Sequence, residues 1–284
     1  MFGIDVSLWQ RDIDFEAAKR EGAEFVIIKS SEGSFVDPCF DAHYKAAKAA
    51  GLHVGAYHYL TSRTVSGAEG EAKYFASLLA GKQLDMPVYL DIESPVLFLN
   101  PKGVNTEIAR KFCDVMEKQG FFAGIYTYAD FLSYNLDDSR LQGYAHWIGC
   151  ISKEKPAYKG NAGVFGIWQF GGDRNLIRSN KVGGVVCDQD YCYIDYPAKI
   201  KKHYLNGYKP EQVAKSVAPE IKPGDLVSIA AGAVYTNGVP VPPIVTKQKW
   251  YVLRTAGSTA VLDSNEAGTM RILSSVGMKY LGRG

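Results

Sequence analysis

Short apolar runs alternate with amphipathic stretches along the first half of the chain. The runs are rich in β-branched and aromatic residues and nearly continuous, which is typical of parallel strands that helices cover on both faces. In the stretches between them, apolar residues recur at helical spacing, as Ile108, Phe112, Val115 and Met116 do. This pattern predicts strands at residues 2–5, 25–29, 54–59, 88–92 and 123–127, and helices at 15–21, 39–50, 67–79 and 106–119.

After residue 129 the helical pattern weakens, while apolar runs continue at residues 145–150, 164–170 and 185–187. No convincing helix separates these three runs. Five strand–helix units followed by three bare strands would complete a closed sheet of eight strands. The predicted fold class is therefore α/β, with a (β/α)5(β)3 TIM-like barrel.

The pattern of apolar and polar residues changes near the C-terminus. Residues 205–221 are polar and contain proline, as a linker does, and from Lys222 short alternating runs are separated by Gly, Asn and Pro. Such runs are typical of a small all-β barrel. The segment from Lys222 holds seven Lys or Arg and three Asp or Glu, a net charge of +4 that leaves −2 for the rest of the chain. The predicted organisation is an α/β barrel at 1–204, a linker at 205–221 and a small all-β domain at 222–284.

Bulk composition narrows the possible partners. The 284 residues are 46% hydrophobic and 22% charged, as in an ordinary globular protein, and the net charge of +2 gives no electrostatic reason to expect nucleic acid as a partner. No apolar run approaches the ~20 residues that span a bilayer. The first residues lack the basic and apolar regions of a secretory signal. We therefore expect synthesis in the cytoplasm without a signal peptide, and no membrane insertion.

The five cysteines are odd in number, and none lies in a C-x-x-C pair. This spacing argues against a disulfide scaffold and against a structural zinc site. We expect no metal and no cofactor.

The motif Asp91-Ile92-Glu93 ends a predicted strand. Side chains at positions i and i+2 of a strand share one face, separated by ~6.6 Å of rise. Two carboxyls in one space raise each other's pKa, so that one can stay protonated near neutral pH and act as an acid. Glycoside hydrolysis requires such an acid. A solvated strand end is the alternative reading of so short a motif.

Other polar and aromatic residues fall at the ends of the remaining predicted strands. The carboxyl ends of the strands of a β/α barrel meet at one rim, where active sites are built. Carboxyls and aromatic faces together are typical of a carbohydrate cleft. The acids that we expect at this rim are Asp5, Asp91, Glu93 and Asp188, and the expected substrate contacts are Tyr57, His58, Tyr126, Trp147, Trp168 and Gln169.

Eight motifs carry a family resemblance across residues 3–190: GIDVS, VIIKSSEG, VGAYHY, YLDIE, GIYT, HWIG, IWQF and VCDQD. Together they resemble glycoside hydrolase family 25, the lysozymes of phages, bacteria and some fungi. The resemblance implies cleavage of the β-1,4 bond from N-acetylmuramic acid to N-acetylglucosamine. It also implies that Glu93 is the general acid, Asp91 the second central carboxylate, and Asp5 and Asp188 supporting acids. Asp190 is close enough in the motif to be the alternative to Asp188.

The chain departs from the family where a Tyr often follows the W-I-A motif, because Gly149, Cys150 and Ile151 stand here. We interpret Lys29 and Glu32, within VIIKSSEG, as a structural pair near the rim.

The segment from Lys222 resembles bacterial SH3-like wall-binding domains, with a structural cap on the barrel as the alternative. The whole resembles a phage endolysin, made in the host cytoplasm and acting on the wall after holin-type release. The implied partners are bacterial peptidoglycan and wall polymers, and the oligomeric state stays open. Two other functions also remain open: a chitinase-like or N-acetylglucosaminidase glycosidase, and a non-catalytic wall-binding protein. Covalent and substrate-assisted mechanisms are both compatible with the motif.

Overall fold

The computed structural model describes residues 1–156, 165–210, 221–264 and 275–283. The chain divides into two units, Met1–Pro210 and Glu211–Gly284, which we call the barrel unit and the C-terminal unit. Among the described residues, no helix has both the length and the apolar character needed to cross a membrane.

Eight strands of the barrel unit close into one sheet, because the first strand pairs with both the second and the last. All neighbours from the first strand to the seventh are parallel. The strands are β1 Phe2–Val6, β2 Phe25–Glu32, β4 His53–Tyr59, β5 Val88–Asp91, β6 Ala123–Tyr128, β7 Ala145–Gly149, β8 Phe165–Gly171 and β11 Asp188–Cys192. The short β3 Phe35–Val36 lies outside the closed ring, beside β2.

A helix follows each of the first five barrel strands: α1 Phe15–Arg20, α2 Phe40–Ala49, α3 Val65–Leu79, α4 Lys102–Lys118 and α5 Ala129–Asn135. Asp14 and Thr64 cap α1 and α3 by accepting hydrogen bonds from backbone N–H groups of the first turn. The predicted (β/α)5(β)3 barrel is therefore confirmed. Helix α4 begins at Lys102, earlier than the apolar face that predicted it, because Pro101 sets its N-terminal boundary.

The last barrel strand differs from the prediction. Val185–Val186 (β10) pair with Lys181–Val182 (β9) in a hairpin, and the barrel strand begins only at Asp188. Gly183 and Gly184 both have positive φ, which favours a tight hairpin at this point. Strand β11 is antiparallel to β1 and to β8. Asp188 therefore lies at the carboxyl-end rim, opposite Asp5, although it starts its strand rather than ending one.

Alternation along the barrel strands divides the core in two. Outward side chains such as Ile4, Leu90 and Ile125 pack under the helices. Inward side chains such as Tyr89 and Trp147, whose ring centroids are 5.2 Å apart, fill the barrel interior. The filled interior forms a floor beneath the rim that holds the acids.

The predicted linker begins too early in the chain. Asn206 is fully buried; its side chain accepts a hydrogen bond from the Phe122 N–H at 2.7 Å and donates one to the Met86 carbonyl at 2.8 Å. Tyr208 donates to Asp85 at 2.6 Å. Residues 205–210, which follow α6 (Tyr196–Lys202), therefore belong to the barrel unit. Residues 211–220 lie outside the described part of the chain.

The described part of the C-terminal unit is an antiparallel sheet with its own apolar core, which includes Val227, Trp250, Val252 and Leu262. The short alternating strands predicted from Lys222 are present there. The strands are β12 Leu226–Ile229, β13 Lys249–Ala256, β14 Thr259–Asp263, β15 Val276–Gly277 and β16 Leu281–Arg283. Their order in the sheet is β15-β14-β13-β12-β16, and a short helix, α7 Pro243–Thr246, precedes β13.

Candidate active site

Four carboxyl groups lie at the carboxyl-end rim of the barrel, and a fifth lies beneath them. Asp5 and Asp91 are at the ends of β1 and β5, and Glu93 follows two residues after Asp91 on the same inward side. Asp188 and Asp190 occupy alternate positions of β11, so both face the interior. The strand pairing brings the predicted acids, Asp5, Asp91, Glu93 and Asp188, to one mouth, and adds Asp190 beneath them.

Glu93 is half-buried, and its pKa is raised to about 7, chiefly by burial and then by the charge of Asp188. Asp91 is buried, and its pKa is raised well above the usual value by burial and by Glu93. Within the described chain, Asp91 Oδ1 and Glu93 Oε2 are buried without a hydrogen-bond partner. Glu93 can therefore hold a transferable proton at neutral pH, as a general acid must.

Lys29 is a cation whose charge acts on both Asp91 and Glu93. Its Nζ lies 2.6 Å from Glu32 Oε2 and 5.1 Å from the centre of the Tyr59 ring. Its charge lowers the pKa of both Asp91 and Glu93, and so opposes the effect of burial. The predicted Lys29–Glu32 pair is confirmed, and it also acts on the acids electrostatically.

A hydrogen-bonded chain fixes the other side of the mouth. The Tyr126 hydroxyl donates to Gln169 Oε1 at 2.7 Å, and Gln169 Nε2 donates to Asp5 Oδ2 at 2.9 Å. Asp190 is fully buried, and its Oδ1 accepts a hydrogen bond from Trp147 Nε1 at 2.7 Å. Burial raises the pKa of both Asp5 and Asp190 well above the usual value.

Asp188 is half-buried and faces a cavity of about 660 Å³. Burial, followed by the charge of Asp173, raises its pKa to about 6. A Cβ atom at Gly172 would collide with the Asp188 carboxyl, so the glycine makes room for it. The cavity is also lined by Trp9, Gln10, Tyr128, Ile151, Gln169, Gly172, Asp173, Arg174, Val186 and Cys187. Ile151 therefore stands in the cavity wall, in the part of the chain where a tyrosine often follows the W-I-A motif of the resembled family.

Three of the predicted substrate contacts face the acids. Tyr57 and Tyr126 point into the barrel, where burial raises the pKa of each hydroxyl, followed by the charge of Asp5 for Tyr57 and of Glu93 for Tyr126. Gln169 lines the cavity itself. Trp147 lies below, with only 1% of its surface exposed and its ring 4.4 Å from that of Tyr126. The structure therefore corrects its predicted role: Trp147 supports the site from beneath and has no face open to a sugar.

His58 and Trp168 are also corrected, because both point away from the mouth. His58 is fully buried against Phe75 and Phe112, and its two ring nitrogens bond to Ser31 and Glu71 at 2.8 Å. Trp168 packs outside the barrel and donates to the Cys150 carbonyl at 2.8 Å. Adjacent residues on a strand face opposite sides, so Tyr57 and Gln169 point inward while these neighbours point outward.

Sequence reasoning missed two aromatic residues at the mouth. Trp9 follows β1 and is 78% exposed, and Tyr128 ends β6 and is 48% exposed. Both line the large cavity. Their position at or just after strands that end at the rim was the signal that could have identified them.

Comparison with known proteins relates the chain to lysozymes. The autolytic lysozyme of Clostridium acetobutylicum is 34% identical over 157 residues, which cover 55% of this chain and 47% of that protein. The chain thus spans about half the length of that relative. The structure of the CTP1L endolysin matches with a TM-score of 0.60 and 26% identity, covering 71% of this chain and 69% of that one. A family GH25 lysozyme from Aspergillus fumigatus matches with a TM-score of 0.58 and 27% identity, covering 68% and 93%.

The family assignment rests on the barrel unit. Residues 4–177, more than half of the chain, match the model for glycosyl hydrolases family 25. This stretch includes Asp5, Asp91 and Glu93, and it ends before Asp188. The chain therefore belongs to glycosyl hydrolases family 25.

Proposed function

We propose that the barrel unit is a lysozyme that hydrolyses the β-1,4 bond between N-acetylmuramic acid and N-acetylglucosamine in bacterial peptidoglycan. The observation that carries the proposal is the pKa of Glu93, raised to about 7 at an open mouth where other carboxyls stand close by. Membership of family 25 and the lysozyme names of its relatives support the same substrate class.

Glu93 donates its proton to the glycosidic oxygen, and positive charge develops on the sugar as the bond breaks. Asp188 faces the cavity, and its pKa of about 6 leaves it ionised at neutral pH, so it stabilises that charge. Asp190 is fully buried beneath Asp5, which favours Asp188 over Asp190 as the fourth acid. Asp91 either attacks the sugar or orients the acetamido group of the substrate, which then attacks instead.

Product analysis separates this activity from its alternatives. A muramidase leaves muramic acid at the new reducing end, whereas an N-acetylglucosaminidase leaves glucosamine there. Mass spectrometry of purified peptidoglycan after digestion and borohydride reduction distinguishes the two. We expect reduced N-acetylmuramic acid only. Reduced N-acetylglucosamine would support the rival glycosidase, and an undigested wall that still binds the protein would support a non-catalytic wall-binding role.

We further propose that the C-terminal unit is an SH3-like wall-binding domain. Its separate core and the net charge of +4 from Lys222 support this role, because bacterial walls are polyanionic. Exposed charges are screened within ~8 Å at physiological salt, so specific contacts must supply most of the affinity. Binding raises the local concentration of the barrel at its substrate.

Truncation tests this division of labour. A chain that ends at Pro210 keeps the buried Asn206 and the Tyr208–Asp85 hydrogen bond. It should cleave soluble glycan at close to the full-length rate and be much slower on intact cells. A fusion of residues 211–284 to a fluorophore should label those cells. Equal rates of the two chains on intact cells would remove the wall-binding assignment and favour a structural role.

The phage-endolysin proposal concerns where the protein acts. It predicts that the protein accumulates in a bacterial cytoplasm without harm and reaches the wall only when a holin opens the membrane. Turbidity of an expressing culture should fall only after a membrane-permeabilising agent is added. Lysis without permeabilisation would show that another route takes the protein to the wall.

A further inference from the structure

The pairing of β2 with β4 shifts by one residue close to the rim. Lys29 pairs with Tyr57, and the next pair is Ser31 with His58, which leaves Ser30 as an extra residue in β2. Such a β-bulge re-aims the side chains beyond it, and bulges are frequent beside active sites.

The bulge reverses the alternation of side chains along β2. Before it, Ile27 lies in the barrel interior and Ile28 packs under the helices. Lys29 continues this alternation and faces inward, so in a regular strand Glu32 would face outward. Beyond the bulge Glu32 instead faces the same way as Lys29, with its Oε2 2.6 Å from the lysine Nζ. The extra residue therefore makes this ion pair possible.

A chain of hydroxyls and an imidazole holds the bulge. Ser30 Oγ donates to the Tyr57 carbonyl at 3.1 Å and lies 3.0 Å from Ser31 Oγ. Ser31 Oγ lies 2.8 Å from His58 Nδ1, and His58 Nε2 lies 2.8 Å from Glu71 Oε2 of α3. A bulge interrupts the ladder of backbone hydrogen bonds, so side chains must supply partners for buried polar groups there.

The same chain also fixes the carboxyl end of β4. The Glu71 carboxyl accepts hydrogen bonds from the Thr61 N–H at 3.0 Å and from the Ser62 N–H at 2.7 Å. Tyr59, the last residue of β4, has its ring centre 5.1 Å from Lys29 Nζ. Both strands that surround the lysine ammonium group are therefore held from outside the barrel.

We propose that His58 is a positioning residue for the acid Glu93. Through Ser31 it holds the bulge that turns Glu32 toward Lys29. The Lys29 side chain is only 13% exposed. Without Glu32 beside it, its ammonium group would move to water, because burial of an unpaired charge is costly. The charge that Lys29 brings to Glu93 would then be lost. This inference rests on the proposed function, in which Glu93 donates the proton.

Two variants of the full chain separate the two hydrogen bonds of His58. The amide of His58→Gln reaches the place of Nε2, so it can keep the bond to Glu71 but not the bond to Ser31. The amide of His58→Asn reaches the place of Nδ1, so it can keep the bond to Ser31 but not the bond to Glu71. Both lose the buried ring, so that loss is common to the two variants. Ser31→Ala, which deletes only the hydroxyl, is a second variant that should act as His58→Gln does.

The control for loss of a buried histidine is His146→Gln. His146 lies on β7 and is also fully buried, with its Nε2 2.8 Å from Asp138 Oδ1. This variant removes a comparable ring and carboxylate contact away from the bulge.

The measurement is the titration of Glu93 by NMR in protein with ¹³C-labelled glutamate. The Glu93 signal is identified by its absence from Glu93→Gln, and no substrate is needed. The alkaline limb of kcat/KM on soluble glycan is measured in parallel. The variants leave unchanged the other titratable groups that face Lys29 or Glu93, which are Glu32, Asp37, Tyr59, Asp91, Tyr126, Tyr128 and Asp188.

We expect the midpoint of the Glu93 titration and the alkaline limb to move to higher pH in His58→Gln, as in Lys29→Met. Both should stay in place in His58→Asn and in His146→Gln. His58→Gln combined with Lys29→Met should move the midpoint no further than Lys29→Met alone, because both act through the same charge.

An unmoved midpoint in His58→Gln and Ser31→Ala, or equal shifts in the two His58 variants, would overturn the positioning role. If the midpoint moves as expected but the unmodified chain cleaves no glycan, the link from His58 to Glu93 stands and the proposed function fails.

Discussion

The Gln169 carboxamide donates a hydrogen bond of 2.9 Å to the Asp5 carboxyl, although the two residues are 164 positions apart in sequence. The same amide accepts a hydrogen bond from the Tyr126 hydroxyl. One residue of β8 therefore fixes an acid of β1 and a phenol of β6 across the mouth of the barrel.

Gln169→Leu should lower kcat more than it raises KM, because Asp5 loses its hydrogen-bond donor while the cavity keeps its shape. The Tyr126 hydroxyl also loses its acceptor, which should cost about 1–3 kcal/mol of unfolding free energy. Kinetics on soluble glycan and urea unfolding measure the two effects. Gln10→Leu, in the same cavity wall, is the matched control, and equal behaviour of the two variants would contradict the positioning role.

The pH dependence of activity follows from two carboxyls. Glu93 must be protonated, so activity should fall as pH rises through its pKa of about 7. Asp188 must be ionised, so activity should fall as pH drops through about 6. The optimum of kcat/KM should therefore lie between these values. Asp188→Asn removes a charge that raises the pKa of Glu93, so the alkaline limb should move to lower pH; a limb that stays in place would contradict the coupling.

Lys29→Met should shift the alkaline limb of the pH–activity profile to higher pH. The Lys29 charge lowers the pKa of Glu93, so its removal should let Glu93 keep its proton to higher pH. The control is Lys73→Met, which breaks an exposed pair with Glu69 on α3. An alkaline limb that stays in place, or that moves equally in both variants, would show that Lys29 does not act on the acid.

Most of the barrel could be predicted from the sequence because its strands are long apolar runs that end at the rim. The rim position of Asp5, Asp91 and Glu93 is predictable because each lies at the end of a strand or follows one closely. The direction of β11 was not predictable from a local pattern, since it depends on pairing with β1 across the length of the barrel unit. Asp188 lies at the predicted rim because it begins an antiparallel strand, whereas the sequence pattern predicts it at the end of a parallel one.

The position of a residue at a strand end does not decide whether it faces the site. In each of the pairs Tyr57-His58 and Trp168-Gln169, strand alternation lets only one member face the site, although the sequence prediction includes both. The interior of a small barrel is filled by side chains, which explains why Trp147 became part of the floor. Trp9 escaped notice because it lies in a short 3-10 helix beyond the strand, where no periodicity marks it.

The opposite end of the barrel offers a test of stability. Burial disfavours ionisation of Asp85, but the nearby His53 ring, 3.9 Å away, and hydrogen bonds from Lys48 and Tyr208 hold its pKa well below the usual value. Because the folded-state pKa is depressed, this stabilisation is present above the unfolded pKa of about 4 and is lost as pH falls below it. Asp85→Asn should cost about 3 kcal/mol at pH 7 in urea unfolding. The difference from the unmodified chain should shrink at acid pH; an equal difference at all pH values would contradict the charge-based account.

The most direct test of the central claim is the lytic rate of Glu93→Gln on purified peptidoglycan. The amide keeps the shape of the side chain but has no acid proton to donate, and general acid catalysis contributes about 10²–10⁴-fold. We expect a loss of that size with unchanged thermal unfolding, while Glu69→Gln, the same change on the exposed face of α3, keeps full activity. Glu93→Gln lysis within a few-fold of the unmodified rate would contradict the assignment of Glu93 as the acid.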